Sequence, residues 1–324
     1  MSRIHLVVGA GVVGSALAQL LAEDGKEVVI VTRSGVGPNH KNIKRVASDV
    51  CDCEKLLEIA PSAVAIYNCA NPPYHRWAQE WPPMASSFLT YAEKTGAVLV
   101  TCSNLYGYGP VDVAMSESLP LIASGVNGKV RAQMWLDAKT LHDAGRIKAT
   151  EVRGSDYICA GEQSRVGSRV IPKILAGKSV QVLGDIDIKH TWTYPLDVAR
   201  LMKIVAENSN AWGKAWHVPS NEPKTQREVI TELATEARVK TPKISSVPNV
   251  IWNVLAIFNP LMRALKETAY QMERSYILDE SAARKTFGMQ PTSWSQILKE
   301  VVADRKSTRL NSSHTDISRM PSSA

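Results

Sequence analysis

The chain has 324 residues, of which 44% are hydrophobic, enough apolar material for one large domain or two smaller ones. Its net charge of +7 is spread along the sequence without a dense basic run, which argues against a nucleic-acid-binding protein. The five cysteines form no CxxC pair and no export signal precedes the first apolar run, so we expect free thiols, no metal site and a cytoplasmic location. The late apolar stretch 247–265 is interrupted by prolines and too short to span a bilayer, so no membrane contact is predicted.

The last residues, from Asp304 to Ala324, show no apolar periodicity. When back-translated, they resemble a sequencing adapter read through in frame, so we expect 304–324 to be an artefact and leave it out of the fold prediction. This tail carries four Lys or Arg and two Asp residues, which leaves a net charge near +5 for the rest of the chain.

The first thirty-four residues predict a dinucleotide site. A β-branched run from Ile4 leads into a Gly-x-Gly-x-x-Gly turn, then an amphipathic segment, then a second apolar run. The first glycine allows a sharp turn, the second lets the backbone approach a pyrophosphate, and the third lets the helix pack against the strand. The phosphates would lie at the helix N-terminus. The predicted binding residues in this turn are Gly9, Gly11, Val12, Val13 and Gly14.

The end of the second apolar run predicts which nucleotide binds. NAD sites carry a carboxylate there for the ribose 2′-hydroxyl, but this chain has Thr32-Arg33-Ser34. A guanidinium beside small hydroxyl residues suits a 2′-phosphate, so NADP is the predicted cofactor. The alternatives are NAD and an ordinary solvated arginine.

Strands and helices then alternate. We predict strands over 43–50, 64–70, 97–103 and 150–153, and helices over 53–60, 81–94 and 129–142. This order predicts an α/β fold with a Rossmann-type, doubly wound parallel sheet, in which ligands lie beyond the carboxyl ends of the strands. The residues placed there to line a nucleotide are Asp49, Val50, Ala70 and Asn71, although ordinary turn chemistry explains such strand-end residues equally well.

From about residue 160 the alternation gives way to short strands with glycine turns, and then to mostly helical sequence. We therefore predict a dinucleotide-binding domain over 1–160 and a smaller substrate-binding lobe over 161–303, partly interleaved with the sheet.

The fifth predicted strand is followed by Leu105-Tyr106-Gly107-Tyr108-Gly109-Pro110, and Lys129 opens the next predicted helix. With these motifs, residues 2–302 resemble the NAD(P)-dependent epimerase/dehydratase family, the extended short-chain dehydrogenase/reductase group. The resemblance implies an oxidoreductase or epimerase that moves hydride between a nicotinamide and the carbonyl or hydroxyl carbon of a small molecule, such as a nucleotide-sugar. It also implies a homodimer that pairs through helices on one face of the sheet.

The catalytic residues depart from the family pattern. In the family, a tyrosine four residues before the lysine transfers the proton, and a serine or threonine before the tyrosine-glycine motif binds the reacting oxygen. Here the tyrosine position falls on Gly125 and the serine position near Cys102, with Ser103 beside it, so that only Lys129 matches. The resemblance implies that Lys129 binds the cofactor by holding the nicotinamide ribose. The glycine turn is also one residue shorter than the usual family motif.

Three hypotheses follow for the chemistry. Tyr106 or Tyr108 supplies the phenol from another backbone position, or Lys129 itself donates the proton or binds the oxygen. In the third hypothesis the chemistry is lost, and the protein is an NADP-binding sensor.

Three further polar residues have two interpretations each. Arg153 and Asp156 follow the sixth strand at the mouth of the cleft, where they contact substrate or form an ion pair. His217 is interpreted as a satisfied core histidine rather than a catalytic base.

Overall fold

The computed structural model describes residues 4–304, and its strands follow the predicted alternation. The strands are β1 (Ile4–Val8), β2 (Glu27–Thr32), β3 (Ile43–Ala47), β4 (Ala65–Asn68), β5 (Val98–Ser103), β6 (Lys148–Arg153), β7 (Asp156–Tyr157), β8 (Val180–Val182), β9 (Trp192–Thr193), β10 (Ala215–His217) and β11 (Ile244–Ser246).

The helices lie between these strands and dominate the last third of the described chain. They are α1 (Val12–Glu23), α2 (Cys53–Ile59), α3 (Trp77–Thr95), α4 (Val126–Asp143), α5 (Gly167–Leu175), α6 (Pro195–Glu207), α7 (Gln226–Glu236), α8 (Asn249–Phe258), α9 (Pro260–Glu267), α10 (Tyr270–Glu273), α11 (Ser281–Phe287) and α12 (294–304). Short 3₁₀ turns lie at Tyr74–Arg76, Tyr106–Tyr108 and Ser209–Ala211.

Seven strands form one parallel sheet in the order β10-β6-β5-β4-β1-β2-β3. The predicted doubly wound, Rossmann-type fold is therefore confirmed. The strand order reverses beside β1, because β2 lies on one side of it and β4 on the other. A crevice forms at the carboxyl ends of strands at such a point, which is where α/β sheets bind ligands.

The sheet is covered on both faces. Val7 on β1 packs with Leu17 of α1 and Met202 of α6 on one face, whereas Leu6 packs with Phe88 of α3 on the other. Because neighbouring residues of a strand point to opposite faces and both faces are buried, β1 and β2 appear in the sequence as continuous apolar runs.

The later part of the chain builds a smaller layer around a separate core. The strand pairs β7–β9 and β8–β11 lie outside the large sheet. Helices α5, α7 and α12 pack there around Ile158 and Trp192. Strand β10 and helix α6 also come from the predicted second lobe, yet they complete the sheet and cover one of its faces.

Three predicted boundaries differ from the structure by three residues or more. Strand β3 ends at Ala47, so that Asp49 and Val50 follow it in a turn. Helix α3 begins at Trp77 and contains Pro82 and Pro83 in its interior, although their missing N–H groups favour a helix start.

The third difference concerns the helix that carries the family lysine. Helix α4 begins at Val126, three residues before the predicted start at Lys129, with Gly125 as its N-cap residue. No side chain from the helix start caps this N-terminus, although serine and asparagine, which are common N-cap residues, lie on either side of it at Ser124 and Asn127. Instead, the Asn127 backbone N–H donates to Glu267 Oε1 of α9 at 2.7 Å.

Within residues 4–304, no helix is both long and apolar enough to cross a membrane. The predicted artefact begins at Asp304, the last described residue, which is helical. Residues 305–324 lie outside the described residues.

Candidate active site

A cavity of about 520 Å³ lies at the carboxyl ends of the central strands. The cavity is lined by the glycine turn, the residues at the ends of β4, β5 and β6, the loop before α5, and helices α9 and α10. The predicted site residues among those that line it are Gly11, Val13, Ala70, Asn71, Ser103 and Tyr106. Of the predicted strand-end residues, Ala70, Asn71 and Ser103 line this cavity, whereas the cavity lining does not include Thr32, Arg33, Ser34, Asp49 and Val50.

The glycine turn has the geometry that a diphosphate requires. Gly9 has a positive φ of 99°, and a Cβ at this position would lie 2.6 Å from the Cys69 carbonyl oxygen. A Cβ at Gly14 would overlap the Gly9 carbonyl oxygen, so the close approach of α1 to the turn needs glycine. Gly11 caps α1 without a side-chain acceptor, and no acidic residue lies in the first turn. The N-terminal amides of α1 therefore have no capping side chain, although the Gln163 side chain lies beside Gly11, and the turn fits a dinucleotide phosphate.

The predicted ribose-binding residues lie along the same edge of the sheet. Arg33 and Ser34 are exposed after β2, and the Thr32 hydroxyl donates to the Val36 carbonyl at 3.1 Å. Asp49 is exposed and accepts a 3.0 Å hydrogen bond from the Cys51 N–H, while Val50 is buried. The Asp49 carboxylate thus stabilises its own turn, and the Arg33 side chain lies at the surface and not in the core.

Tyr108 lies outside the cavity, in a buried polar network. Its hydroxyl accepts from Arg153 Nη1 at 2.6 Å and is 2.7 Å from His217 Nε2. His217 Nδ1 lies 2.8 Å from the Asp279 carbonyl, which can only accept, so Nδ1 carries the hydrogen and Nε2 accepts from Tyr108. Burial lowers the pKa of His217 to about 4. Arg153 also pairs with Glu151 at 2.6 Å. These contacts agree with the interpretation of Arg153 as part of an ion pair and of His217 as a satisfied core histidine.

Tyr106 and Ser103 line the cavity. The Tyr106 ring meets the Tyr74 ring edge-on at 6.1 Å and lies 6.0 Å from the Trp77 ring. Burial raises the pKa of Tyr106 well above the usual value, because the phenolate would lose its hydration. Tyr106 is thus placed as the hypothesis of a displaced phenol requires, whereas Tyr108 is not.

Lys129 is solvent-exposed on α4, whereas Asn127 and Arg131 are buried. Two residues along a helix correspond to about 200° of rotation, so the side chains of Lys129 and Arg131 leave α4 on nearly opposite sides. Arg131 lines the cavity. Asn127 and Arg131 have the spacing of four residues that the family's tyrosine and lysine have. The structure therefore places an arginine, and not Lys129, where a cation meets the cavity.

Arg131 is held by aromatic faces and a backbone carbonyl. Its guanidinium carbon lies 4.9 Å from the centre of the Trp81 ring and 5.6 Å from that of Trp77. Its Nη2 donates to the Cys102 carbonyl at 2.6 Å. Its Nε has no hydrogen-bond partner among residues 4–304, and no carboxylate of that range lies within ion-pair distance. Arg131 is thus a buried cation, 5% exposed, whose charge is not neutralised locally.

Tyr157 follows β6 and approaches the same strand end. Its hydroxyl lies 3.4 Å from Cys102 Sγ, and both residues line the cavity. Burial raises the pKa of Tyr157 well above the usual value, and the neighbouring Cys102 adds to this shift, while Arg131 opposes it. The sequence places the neighbouring Asp156 at the cleft mouth but carries no signal that pairs Tyr157 with Arg131.

Asp156 forms an ion-paired group with two basic side chains. Its carboxylate pairs with Arg165 and lies 2.9 Å from His190 Nε2. Burial favours the protonated acid, but the charges of Arg165 and His190 outweigh it and lower the pKa of Asp156 to about 2. His190 also stacks on Tyr276, with the ring centres 5.2 Å apart. The ion-pair interpretation of Asp156 agrees with these contacts, and because the residue also lines the cavity, its contact with substrate stays a prediction.

Sequence reasoning missed several residues of the cavity, chiefly those supplied by α3, the α5 region and α10. Each of these residues lies far along the chain from the glycine turn, and none belongs to a recognisable motif. They include Trp77, Trp81, Gln163, Arg165, Arg169, Gln271 and Tyr276. In the described part of the chain, no group of three or more His, Cys, Asp or Glu side chains is arranged to hold a metal ion.

The sequence profile of the NAD dependent epimerase/dehydratase family matches residues 5–218. This range includes the glycine turn, the large sheet through β10 and the residues that hold Arg131 and Tyr157. Comparison with curated protein sequences gave no match.

Solved structures of the same fold are numerous. UDP-glucose 4-epimerase of Thermotoga maritima, solved with UDP-glucose, superposes with a TM-score of 0.78 at 18% identity, covering 95% of this chain and 100% of the epimerase. UDP-glucuronic acid 4-epimerase of Bacillus cereus, solved with UDP-glucuronic acid and NAD, gives 0.74 at 20% identity, covering 94% and 100%. dTDP-glucose 4,6-dehydratase of Bacillus anthracis, solved with NAD, gives 0.74 at 16% identity, covering 94% and 97%.

Proposed function

The chain belongs to the NAD dependent epimerase/dehydratase family, and we propose that it is an NADP-dependent oxidoreductase or epimerase acting at a carbonyl or hydroxyl carbon of a nucleotide-sugar-like small molecule. The observation that carries this proposal is the uncapped N-terminus of α1 at Gly11, which lines the same cavity as the phenols and guanidinium groups. A cofactor phosphate and a polar substrate would thus share one site.

The preference for NADP rests on the end of β2. Arg33 and Ser34 are exposed there, beside the glycine turn, and no carboxylate follows the strand before β3. A bidentate contact between a guanidinium and a 2′-phosphate contributes about 1.5–3 kcal/mol. NAD lacks that phosphate, so Arg33 would discriminate between the two nucleotides.

The substrate class is supported by the polar residues that line the cavity. Arg165 and Arg169 provide positive charge there, and Glu162 and Gln163 provide hydrogen-bonding groups. A sugar linked to a diphosphate would match guanidinium groups and neutral polar side chains together. The epimerase of Thermotoga maritima, which has the same fold, was solved with UDP-glucose.

Binding and turnover measurements test this function. We expect NADPH and NADP⁺ to bind more tightly than NADH and NAD⁺, and Arg33→Ala to weaken the NADP forms about 10- to 100-fold with little effect on the NAD forms. Arg45→Ala, a change to an exposed arginine on β3, is the control. Equal losses for both nucleotides in Arg33→Ala contradict the 2′-phosphate contact.

A second function is an NADP-binding sensor without turnover. It is favoured by the space beside Gly125, the position of the family tyrosine, which the Glu267 side chain fills. A Cβ at Gly125 would overlap the side chain of Glu267, so a phenol does not fit there beside that carboxylate. A panel of nucleotide-sugars and small carbonyl compounds separates the two functions. Oxidation of bound NADPH, or interconversion of epimers, supports the enzyme. Tight binding without turnover of any member of the panel supports the sensor.

A further inference from the structure

We infer that Tyr157 transfers the proton in this reaction and that Arg131 is the fixed cation beside it. A tyrosine and an arginine from two separate elements would then replace the tyrosine and lysine that the family carries on one helix. This inference rests on the proposed enzymatic function, and it assigns the chemistry to residues that motif matching does not find.

The two side chains meet at one residue, Cys102. Arg131 of α4 donates to its carbonyl at 2.6 Å, and the Tyr157 hydroxyl lies 3.4 Å from its Sγ. Cys102 is also where the family's oxygen-binding serine falls, with Ser103 next to it in the cavity. A phenol, a hydroxyl and a cation thus converge at the end of β5, although the helix position of the family tyrosine is Gly125.

The charge of Arg131 remains available to a phenolate. The nearby Glu151 is already bound to Arg153 at 2.6 Å, and that pair is only 3% exposed. Arg131 itself is flanked by the Trp77 and Trp81 rings, which stabilise a cation without neutralising it. A buried cation without an ion pair of its own is costly, and Arg131 lies in the cavity wall, where it would stabilise an anion that forms during the reaction.

The groups around the phenol act in opposite directions. Burial and the thiols of Cys102 and Cys69 disfavour the phenolate, whereas Arg131 favours it. The charged and ionisable groups that act on the Arg131 guanidinium are, in turn, Glu151, Cys102, Tyr157 and Arg153. Removal of Arg131 leaves only the groups that oppose ionisation of Tyr157.

The Tyr157 hydroxyl exchanges one proton with the substrate oxygen in each direction of the reaction. When bound, the nicotinamide supplies a hydride to the substrate carbon, or takes one from it. During reduction the Tyr157 hydroxyl gives its proton to the carbonyl oxygen, and the phenolate that remains is stabilised by Arg131 until it regains a proton from water. During oxidation the phenolate takes the proton of the substrate hydroxyl. Arg131 moves no proton and is a positioning and electrostatic residue.

Titration of the ligand-free protein tests the pair without turnover. A 2,3-difluorotyrosine incorporated at position 157 ionises at lower pH than tyrosine, and ¹⁹F NMR follows its titration. We expect Arg131→Met to raise the midpoint by at least one pH unit, a tenfold change in the ionisation constant, and Arg131→Lys to restore most of it. Lys139→Met, at a partly exposed position of the same helix whose ammonium pairs with Asp143, is the control and leaves the midpoint unchanged. An unchanged midpoint in Arg131→Met overturns the electrostatic role.

Kinetics test the catalytic role of the phenol. Tyr157→Phe should lower kcat at least 100-fold while KM and the dissociation constant of NADPH stay within threefold. Tyr67→Phe is the matched control, because its buried hydroxyl binds His5 Nδ1 at 2.9 Å, outside the cavity. Unchanged kcat in Tyr157→Phe overturns the proposal. Circular dichroism spectra of all variants exclude misfolding as the cause.

The two proposals fail in different ways. If the wild-type chain binds no nicotinamide nucleotide, the proposed function fails, whatever the titration of position 157 shows. If the wild-type chain turns over substrate but Tyr157→Phe does so equally well, the proposed function stands and the assignment of Tyr157 fails.

Discussion

Glu267 accepts a 2.7 Å hydrogen bond from the Asn127 backbone N–H, so the last residue of α9 caps the first turn of α4. Gly125, the N-cap residue, has no side chain that could do this. The carboxylate also lies near the positive end of the α4 dipole, which stabilises negative charge. Helix α9 is thereby fastened to α4 at the position where the family carries its tyrosine.

Glu267→Ala should lower the free energy of unfolding by about 1 kcal/mol, since a capping group of α4 is lost. Urea unfolding followed by circular dichroism measures the change. Glu273→Ala removes an exposed glutamate from the neighbouring α10 and serves as the comparison. Equal changes in the two variants would show that the cap contributes nothing.

Gly125→Ala should destabilise the protein mainly through Glu267. The added Cβ would overlap the Glu267 side chain and displace it from the Asn127 N–H. The two substitutions should therefore be non-additive in a double-mutant cycle, with the double variant close to Glu267→Ala alone. Fully additive losses would locate the strain elsewhere.

Tyr108→Phe should cost about 1–3 kcal/mol of stability, because Arg153 and His217 would each lose a buried hydrogen-bond partner. The dissociation constant of NADPH should not change, since the hydroxyl lies outside the cavity. Thermal unfolding and nucleotide titration together check this prediction. A loss of turnover without a loss of stability would instead place Tyr108 in the chemistry.

Stability should fall as the pH drops from about 6.5 to about 4. Burial lowers the pKa of both His5 and His217 to about 4, so in this window the unfolded chain binds protons that the folded chain does not. Each histidine contributes at most about 3 kcal/mol to the loss. Unfolding free energies measured from pH 7.5 to 4.5 give the slope, and His5→Gln should reduce it by about one proton. Replacement of the exposed His75 by Gln should leave the slope as it is.

The glycine turn and the sheet follow from the sequence because both rest on local signals. The spacing of Gly9, Gly11 and Gly14 and the continuous apolar runs are sufficient to predict a strand, a turn and a helix. The structure adds the reason for each glycine, namely the backbone oxygens that a Cβ at Gly9 or Gly14 would meet.

The position of Arg131 in the cavity wall could not be predicted from the sequence, because matching a motif compares positions in the chain and not the faces of a helix. Lys129 matches the family lysine by count, but α4 begins at Val126 and turns that residue to solvent. Arginine is rarely buried, so nothing in the sequence marks Arg131 as an inward residue. Its aromatic partners Trp77 and Trp81 come from another helix, some fifty residues earlier, and only the tertiary fold brings them together.

Those two indoles have an optical consequence. Trp77 and Trp81 line the cavity and contact the Arg131 guanidinium, so a nucleotide or sugar entering it changes the surroundings of both chromophores. Reduced nicotinamide absorbs light at the wavelengths that tryptophan emits. Energy transfer would therefore quench the tryptophan emission and excite fluorescence of the dinucleotide. The chain therefore contains its own reporter of occupancy, readable in a fluorimeter without any label.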